Sequence, residues 1–261
     1  MKRPPVWISS AALGALVVLL VPLAALVQRV PWKQVGDLLT DPVVAAAARV
    51  SAVVSLSALA LSAVMGTPLA WLLARHRFPG RRFLRSAVTL PIVLPPVVGG
   101  VALSAAFGRR GWVGAPLEAL TGWQLPFTTV GAVLAASFVS MPFLVVAAEA
   151  GFSTLDRRYE EAASTLGGGP WLVFRRVTVP LVAPSLGAGA ALAWARALGE
   201  FGATITFAGN LPGRTQTIPL AIYQQLESRP EVAYLLGVVM LVLAVVVMVW
   251  AGAGIALGRR P

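Results

Sequence analysis

Glu161-Ala162-Ala163, then Gly167, then Val177-Thr178-Val179-Pro180 stand in a polar loop, residues 149–180, between two long apolar segments. The local pattern predicts a short amphipathic helix over residues 153–170. Ser153 or Asp156 supplies a cap at its start, and the pair resembles a capping box. Leu155, Tyr159, Ala163 and Leu166 follow a spacing close to one apolar stripe. Glu160 and Glu161 fall off that stripe, near the positive end of the helix dipole. Gly167-Gly168-Gly169 is expected to stop the helix and Pro170 to keep it stopped. An ordinary surface helix accounts for the stripe and the caps. It gives no reason for E-A-A, G and V-x-V-P at their combined spacing.

The segments on either side set the class of protein. The chain is 57% hydrophobic and 12% charged, whereas an ordinary soluble domain carries about 25% charged residues. Six uncharged runs reach spanning length: Val6–Val27, Val50–Ala74, Ser86–Gly108, Phe127–Ala148, Val177–Ala195 and Val232–Gly258. A bilayer core takes about 20 residues of helix. Barrel strands are far shorter, so the expectation is an all-α polytopic membrane protein of about six transmembrane helices. The first helix is placed at about 6–28 and the remaining core spans at about 43–258. The whole chain, 1–261, reads as a single transmembrane domain. Met1-Lys2-Arg3 before an apolar run also fits a secretory signal. The run is long for that and no clear A-x-A site follows, so it is read as an uncleaved first helix.

Several function classes fall away on composition. Cysteine is absent, which removes disulfides, iron–sulfur clusters and thiolate sites. His76 is the only histidine and stands in a basic loop without a second ligand in view, so neither a metal nor another cofactor is expected. The only lysines are Lys2 and Lys33, so a G-x4-G-K phosphate loop cannot be built. The net charge of +11 invites a nucleic-acid reading, but its placement argues against one. Lys2, Arg3, Arg75, Arg77, Arg81, Arg82, Arg85, Arg157, Arg158, Arg175, Arg176, Arg259 and Arg260 all fall on one side of the expected spans. On the other side Arg29, Lys33, Arg109, Arg110, Arg214 and Arg229 are largely offset by acids. The positive-inside rule puts both termini and the Glu161 loop in the cytoplasm.

The loop pattern E-A-A-x3-G-x9-V-x-V-P resembles the cytoplasmic E-A-A-x3-G-x9-I-x-L-P loop of membrane subunits of binding-protein-dependent ABC importers. Val177 and Val179 stand where that family usually has Ile and Leu. In the family this loop is where the permease meets its ATPase. The resemblance therefore implies ATPase-coupling roles for Tyr159, Glu160, Glu161, Ala162, Ala163, Leu166, Gly167 and Pro180. It also implies the type I ABC importer fold, with residues 149–180 as the coupling loop of a single permease domain.

A second stretch sharpens the resemblance. Arg196-Ala197-Leu198-Gly199-Glu200-Phe201-Gly202-Ala203-Thr204-Ile205-Thr206-Phe207-Ala208-Gly209-Asn210, continued by Leu211-Pro212-Gly213-Arg214-Thr215-Gln216-Thr217-Ile218-Pro219-Leu220-Ala221-Ile222-Tyr223, is similar to the fifth-span signature of molybdate permeases. Sulfate and thiosulfate permeases, the sister group, tend to read G-E-Y-G-S where this chain has Gly199-Glu200-Phe201-Gly202-Ala203. The resemblance implies a permease of the bacterial inner membrane that passes molybdate and also tungstate. It implies a homodimer, two copies of a cytoplasmic ABC ATPase and a periplasmic or lipid-anchored molybdate-binding protein. No catalytic residue is implied in this chain.

The candidate pathway residues are Pro95, Pro96, Arg196, Gly199, Glu200, Phe201 and Thr204. Pro91, Pro95 and Pro96 break the expected third span, either as a kink packed against neighbours or as a bent pathway wall. Arg196 and Glu200 are i and i+4, and on one helix they share a face. At membrane depth they form either a structural ion couple or a way station for a dianion. Ser185/Gly189 and Gly187/Ala191 are small-residue pairs that favour close helix packing. Three other classes remain as alternatives: a sulfate permease of the same family, a secondary anion carrier working alone, and a membrane scaffold without transport.

Overall fold

A chain crossing lipid must satisfy its backbone groups internally, and the apolar runs do so as helices. The computed structural model describes the backbone of residues 6–257 and the side chains of residues 7–249. Lys2, Arg3, Arg259, Arg260 and the Gly258 end of the last predicted run lie outside the described residues. The helices are α1 (Val6–Gln28), α2 (Val35–Leu39), α3 (Pro42–Arg75), α4 (Arg81–Val93), α5 (Pro96–Phe107), α6 (Gly114–Thr121) and α7 (Thr129–Thr154). They continue as α8 (Arg158–Thr165), α9 (Pro170–Val173), a π-helical turn (Phe174–Thr178), α10 (Val179–Leu198), α11 (Gly202–Phe207), α12 (Ile218–Ser228) and α13 (Pro230–Leu257).

Five helical segments are long and apolar enough to cross a membrane: Trp7–Gln28, Pro42–Arg75, Thr129–Thr154, Pro170–Leu198 and Pro230–Val249. The remaining predicted run, Ser86–Gly108, is divided between α4 and α5. Leu94 is extended, with φ −65° and ψ 135°, because a residue before proline is pushed out of the helical region. Pro95 and Pro96 then restart the chain as α5, whose 12 residues measure about 18 Å, short of a bilayer core of about 30 Å.

Small residues let α7 and α10 approach closely. A Cβ on Gly151 of α7 would sit 2.5 Å from the Ser185 Cβ, and one on Gly189 of α10 would sit 2.9 Å from the Ala147 Cβ. Of the two predicted small-residue pairs, Ser185/Gly189 is the one used against α7. Gly187 has nothing within 4 Å of its would-be Cβ. Leu73 of α3, Leu144, Val145, Ala148 and Phe152 of α7, and Val182 and Ala193 of α10 share one buried cluster. Helix α1 stands apart, fully exposed over most of its length, and meets α13 through Leu26 against Gly237.

The two ends of the bundle differ in charge chemistry. At one end Asp41 caps α3, its Oδ1 accepting from the Val43 N–H at 2.8 Å. Arg229 Nη2 lies 2.6 Å from Asp41 Oδ2 and holds that carboxyl below its ordinary value of 3.8. At the other end Arg75 closes α3 beside α8. That end carries the arginine-rich segments 75–85 and 157–176.

Candidate functional site

The polar loop folds into a shorter helix than its sequence pattern predicts. Helix α7 continues through Thr154, which places Ser153 in its last turn and removes it as a cap. Leu155 is extended, with φ −69° and ψ 125°. Asp156 provides the cap, its Oδ1 accepting from the Arg158 N–H at 3.0 Å. Helix α8 then runs only from Arg158 to Thr165. Gly167 adopts φ +86° with nothing within 4 Å of a would-be Cβ. The position demands a left-handed backbone rather than space, and glycine meets that demand without strain. Pro170, expected to hold the stop, instead opens α9 at its first position, where its missing N–H costs nothing.

Glu160 and Glu161, adjacent in sequence, part company in the fold. Glu160 Oε2 lies 3.1 Å from Arg75 Nη2, and its Oε1 accepts from Thr178 Oγ1 at 2.7 Å. Arg75 Nη1 donates to the Leu155 carbonyl at 3.2 Å, and Arg157 Nη2 donates to the Arg75 carbonyl at 3.2 Å. One carboxylate thus fastens α8 to both the end of α3 and the π-helical turn. Glu161 and Ala162 are exposed and Ala163 is half-buried. The predicted apolar stripe does not face the bundle as a unit, since Tyr159 is 58% and Leu166 89% exposed. Polar anchors, rather than a buried hydrophobic face, hold α8, and this frees its apolar side chains outward. Trp171, 70% exposed, joins that outer surface.

The π-helical turn has a local cause. The Val179 N–H bonds to the Phe174 carbonyl, five residues back. Pro180 follows, with no N–H to give and a ring that clashes with a carbonyl one turn earlier. The widened turn relieves that clash. Phe174 packs in an aromatic set with Trp71, Phe152 and Trp171, at centroid distances of 6.0, 6.4 and 6.0 Å. His76 lies edge-on to Trp71 at 5.0 Å.

Helix α10 leads from this turn to the second group of predicted residues. Its 20 residues span about 30 Å. It ends at Leu198 with Gly199 as C-cap, and α11 begins at Gly202. Arg196 and Glu200 therefore do not share one helix face, as their spacing predicts. They bridge a break. Arg196 Nη1 lies 2.6 Å from Glu200 Oε2, with side chains 25% and 1% exposed. Glu200 Oε1 accepts from the Ala203 N–H at 2.6 Å, so the same carboxylate satisfies an orphan donor of the next helix. Phe201 meets Tyr223 edge-on at 5.4 Å. Thr204 is fully buried, and its Oγ1 has no hydrogen-bond partner among the described residues.

This break meets the break in the proline-rich run. A Cβ on Gly202 would lie 2.8 Å from the Pro96 Cβ, and one on Gly100 would lie 1.8 Å from Thr206 Oγ1. Helices α5 and α11 are thus in near backbone contact, with Pro96 beside the Glu200 segment and Pro95 capping α5. Sequence reasoning missed Arg75, Thr178, Gly100 and Thr206 as parts of these arrangements. The Thr178 position is the unspecified x of V-x-V-P, and Arg75 is indistinguishable by pattern from its basic neighbours.

Residues 66–254 match the family described as binding-protein-dependent transport system inner membrane component. The chain belongs to this family. Both the α8 anchor and the α5–α11 seam fall inside the matched region. This inner membrane component is 42% identical over 97% of its length, and 96% of the relative's, to the molybdenum transport system permease protein ModB of Mycobacterium bovis. It is 39% identical, over 81% of its length and 75% of the relative's, to a probable sulfate transport system permease protein, cysT, of Nephroselmis olivacea. Among solved structures, a bacterial alginate ABC transporter in complex with an alginate pentasaccharide-bound periplasmic protein superimposes with a TM-score of 0.73. It shares 18% identity, covering 97% of this chain and 94% of that one. The shared fold is that of an ABC importer membrane chain.

Proposed function

We propose that this chain is the membrane-spanning subunit of an ATP-driven oxyanion importer. It works as a homodimer with two copies of a cytoplasmic ABC ATPase and takes molybdate, and tungstate with it, from a periplasmic or lipid-anchored binding protein. The observation that carries this reading is the split of the two glutamates. Glu160 ties α8 to the bundle, while Tyr159, Glu161, Ala162 and Leu166 are left on an exposed surface that fits the cleft of a partner. A partner that moves α8 pulls on Thr178 and hence on α10 as a rigid body, about 30 Å long. At the far end of α10 sit Arg196 and Glu200, against the α5–α11 seam. ATP hydrolysis then belongs to the partner chain.

The substrate rests on different support. The 42% identity to a molybdenum permease runs through nearly the whole chain, and the Phe201–Ala203 segment departs from the tyrosine and serine of the sulfate pattern. The alternative substrate, sulfate, is kept by the likeness to a sulfate permease. A secondary carrier working alone fits poorly with membership of a binding-protein-dependent family. The arginine-rich end, with α8 and both termini, is assigned to the cytoplasm.

The test is the complex of this chain, its ATPase and its binding protein in proteoliposomes. Molybdate is expected to stimulate ATP hydrolysis and to accumulate inside only when ATP is supplied, and sulfate to do neither. Stimulation by sulfate alone would reassign the substrate. Accumulation without ATP would remove the ATPase from the account.

A further inference from the structure

Arg77, Arg81, Arg82 and Arg85 crowd the turn between α3 and α4, and the chain has no Asp or Glu between Asp41 and Glu118. Gly80, at φ +84°, directs the chain into α4 with no side-chain cap and no acidic residue in the first turn. The four arginines, with Phe78 and Gly80, line a surface cavity of about 400 Å³. Arg85 is neutralised by Glu149 of α7. Among the described residues, no carboxylate comes within ion-pair distance of Arg77, Arg81 or Arg82. Arg81 Nε is buried and lacks a hydrogen-bond partner. Guanidinium groups this close repel one another unless an anion is shared between them. They also match phosphate oxygens in geometry.

The surface beside the cavity is apolar. Phe83 is 79% and Leu90 54% exposed on α4, two turns apart on one face, while Leu84 and Val88 of the same helix pack on the core cluster of α3, α7 and α10. An inorganic anion needs only the arginines. A basic cavity opening onto an exposed apolar helix face matches an amphiphile, with a charged head for the arginines and a chain for Phe83 and Leu90.

We infer that this cavity binds the phosphodiester headgroup of an anionic phospholipid in the leaflet on the α8 side of the membrane, with α4 lying at the interface. The lipid screens the repulsion among Arg77, Arg81 and Arg82. It steadies α4, which meets α7 through Arg85 and Glu149.

The experiment purifies the full chain from mixed phosphatidylglycerol–phosphatidylcholine vesicles and measures the retained lipid by mass spectrometry. The wild type is expected to retain phosphatidylglycerol in preference to phosphatidylcholine. An arginine at an anionic surface is worth about fivefold in binding, so R81Q/R82Q is expected to lose roughly 25-fold in that preference. R81K/R82K should keep most of it, and R109Q/R110Q, at the other end of the bundle, should leave it unchanged. Equal retention of both lipids by the wild type overturns the site, as does full retention by R81Q/R82Q. If R81Q/R82Q yields no folded protein, R77Q in the preceding loop carries the test, with an expected loss of about fivefold; unchanged retention overturns the proposal. Displacement of phosphatidylglycerol by millimolar inorganic phosphate overturns the lipid assignment in favour of a free-anion site. Loss of a co-purifying ATPase with lipid retention intact overturns it in favour of a protein contact.

Discussion

The anchor of α8 and the seam between α5 and α11 both depend on a buried arginine–glutamate pair, yet they are built in opposite ways. Arg75 and Glu160 are far apart in sequence, and their ion pair joins two helices that share little apolar contact. Arg196 and Glu200 are neighbours in sequence, and their pair spans a break that close backbone packing has already fixed. Around the seam, Gly100 and Gly202 leave no space for one added carbon. Around α8, Gly167 has open space on all sides and needs only its backbone angle. A helix held by a few polar bonds moves as a unit when those bonds are kept. A seam packed backbone to backbone switches only between discrete arrangements. The first architecture suits receiving a push and the second suits opening or staying closed.

The largest expected effect lies in the seam's ion pair. Arg196→Met or Glu200→Gln strands a buried partner, at about 3–5 kcal/mol by the standard of soluble proteins, with relief from nearby water lowering that figure in a membrane. Each single variant should give a reduced yield of monodisperse protein, and the double variant should recover much of it. A double variant that folds and supports ATP hydrolysis but not molybdate uptake would assign Arg196 to the anion path. Singles that fold like wild type would make the pair dispensable and erase half of the comparison.

Gly100→Val comes next. Its side chain would collide with Thr206 and with the Ala203 carbonyl, so overpacking of about 3 kcal/mol is expected, read as a lowered thermal midpoint. Thr206→Ala should restore part of the loss by clearing the nearest clash. An unchanged midpoint in Gly100→Val would mean that α5 and α11 separate freely, and the contrast with α8 would collapse.

Gly167→Val is expected to be milder for folding, about 1–2 kcal/mol for a branched residue held in a left-handed backbone. Its main effect should fall on function. ATP hydrolysis should persist while uptake drops, because α8 ends at the wrong angle for its partner. Normal uptake by Gly167→Val would show that the turn is not part of the coupling.

Much of this was legible in the sequence. Hydropathy placed the long helices, and the E-A-A spacing marked the coupling loop, because both signals are carried by residues close in the chain. The partition between Glu160 and Glu161 was hidden. It depends on where α8 starts, and that start is set by the extended Leu155 and the Asp156 cap rather than by Ser153. Arg75 was hidden for another reason. Its positive charge reads equally well as an orientation signal, and its partner lies 85 positions away. The break after Leu198 was masked because Arg196 and Glu200 keep helical spacing, although Gly199 carried the usual helix-ending signal. Long-range contacts and termination points decide these cases, and a local pattern records neither.

The most direct test exchanges the charges of the α8 anchor in the reconstituted transporter and measures ATP-dependent molybdate uptake. Arg75→Glu and Glu160→Arg each place like charges 3.1 Å apart, and each is expected to abolish uptake while the protein still reaches the membrane. The double exchange R75E/E160R restores an opposite-charge pair and should recover a substantial part of the uptake. Recovery would show that the anchor carries the motion from α8 into the bundle. Single exchanges that transport like wild type, or a double exchange no better than either single, would contradict it.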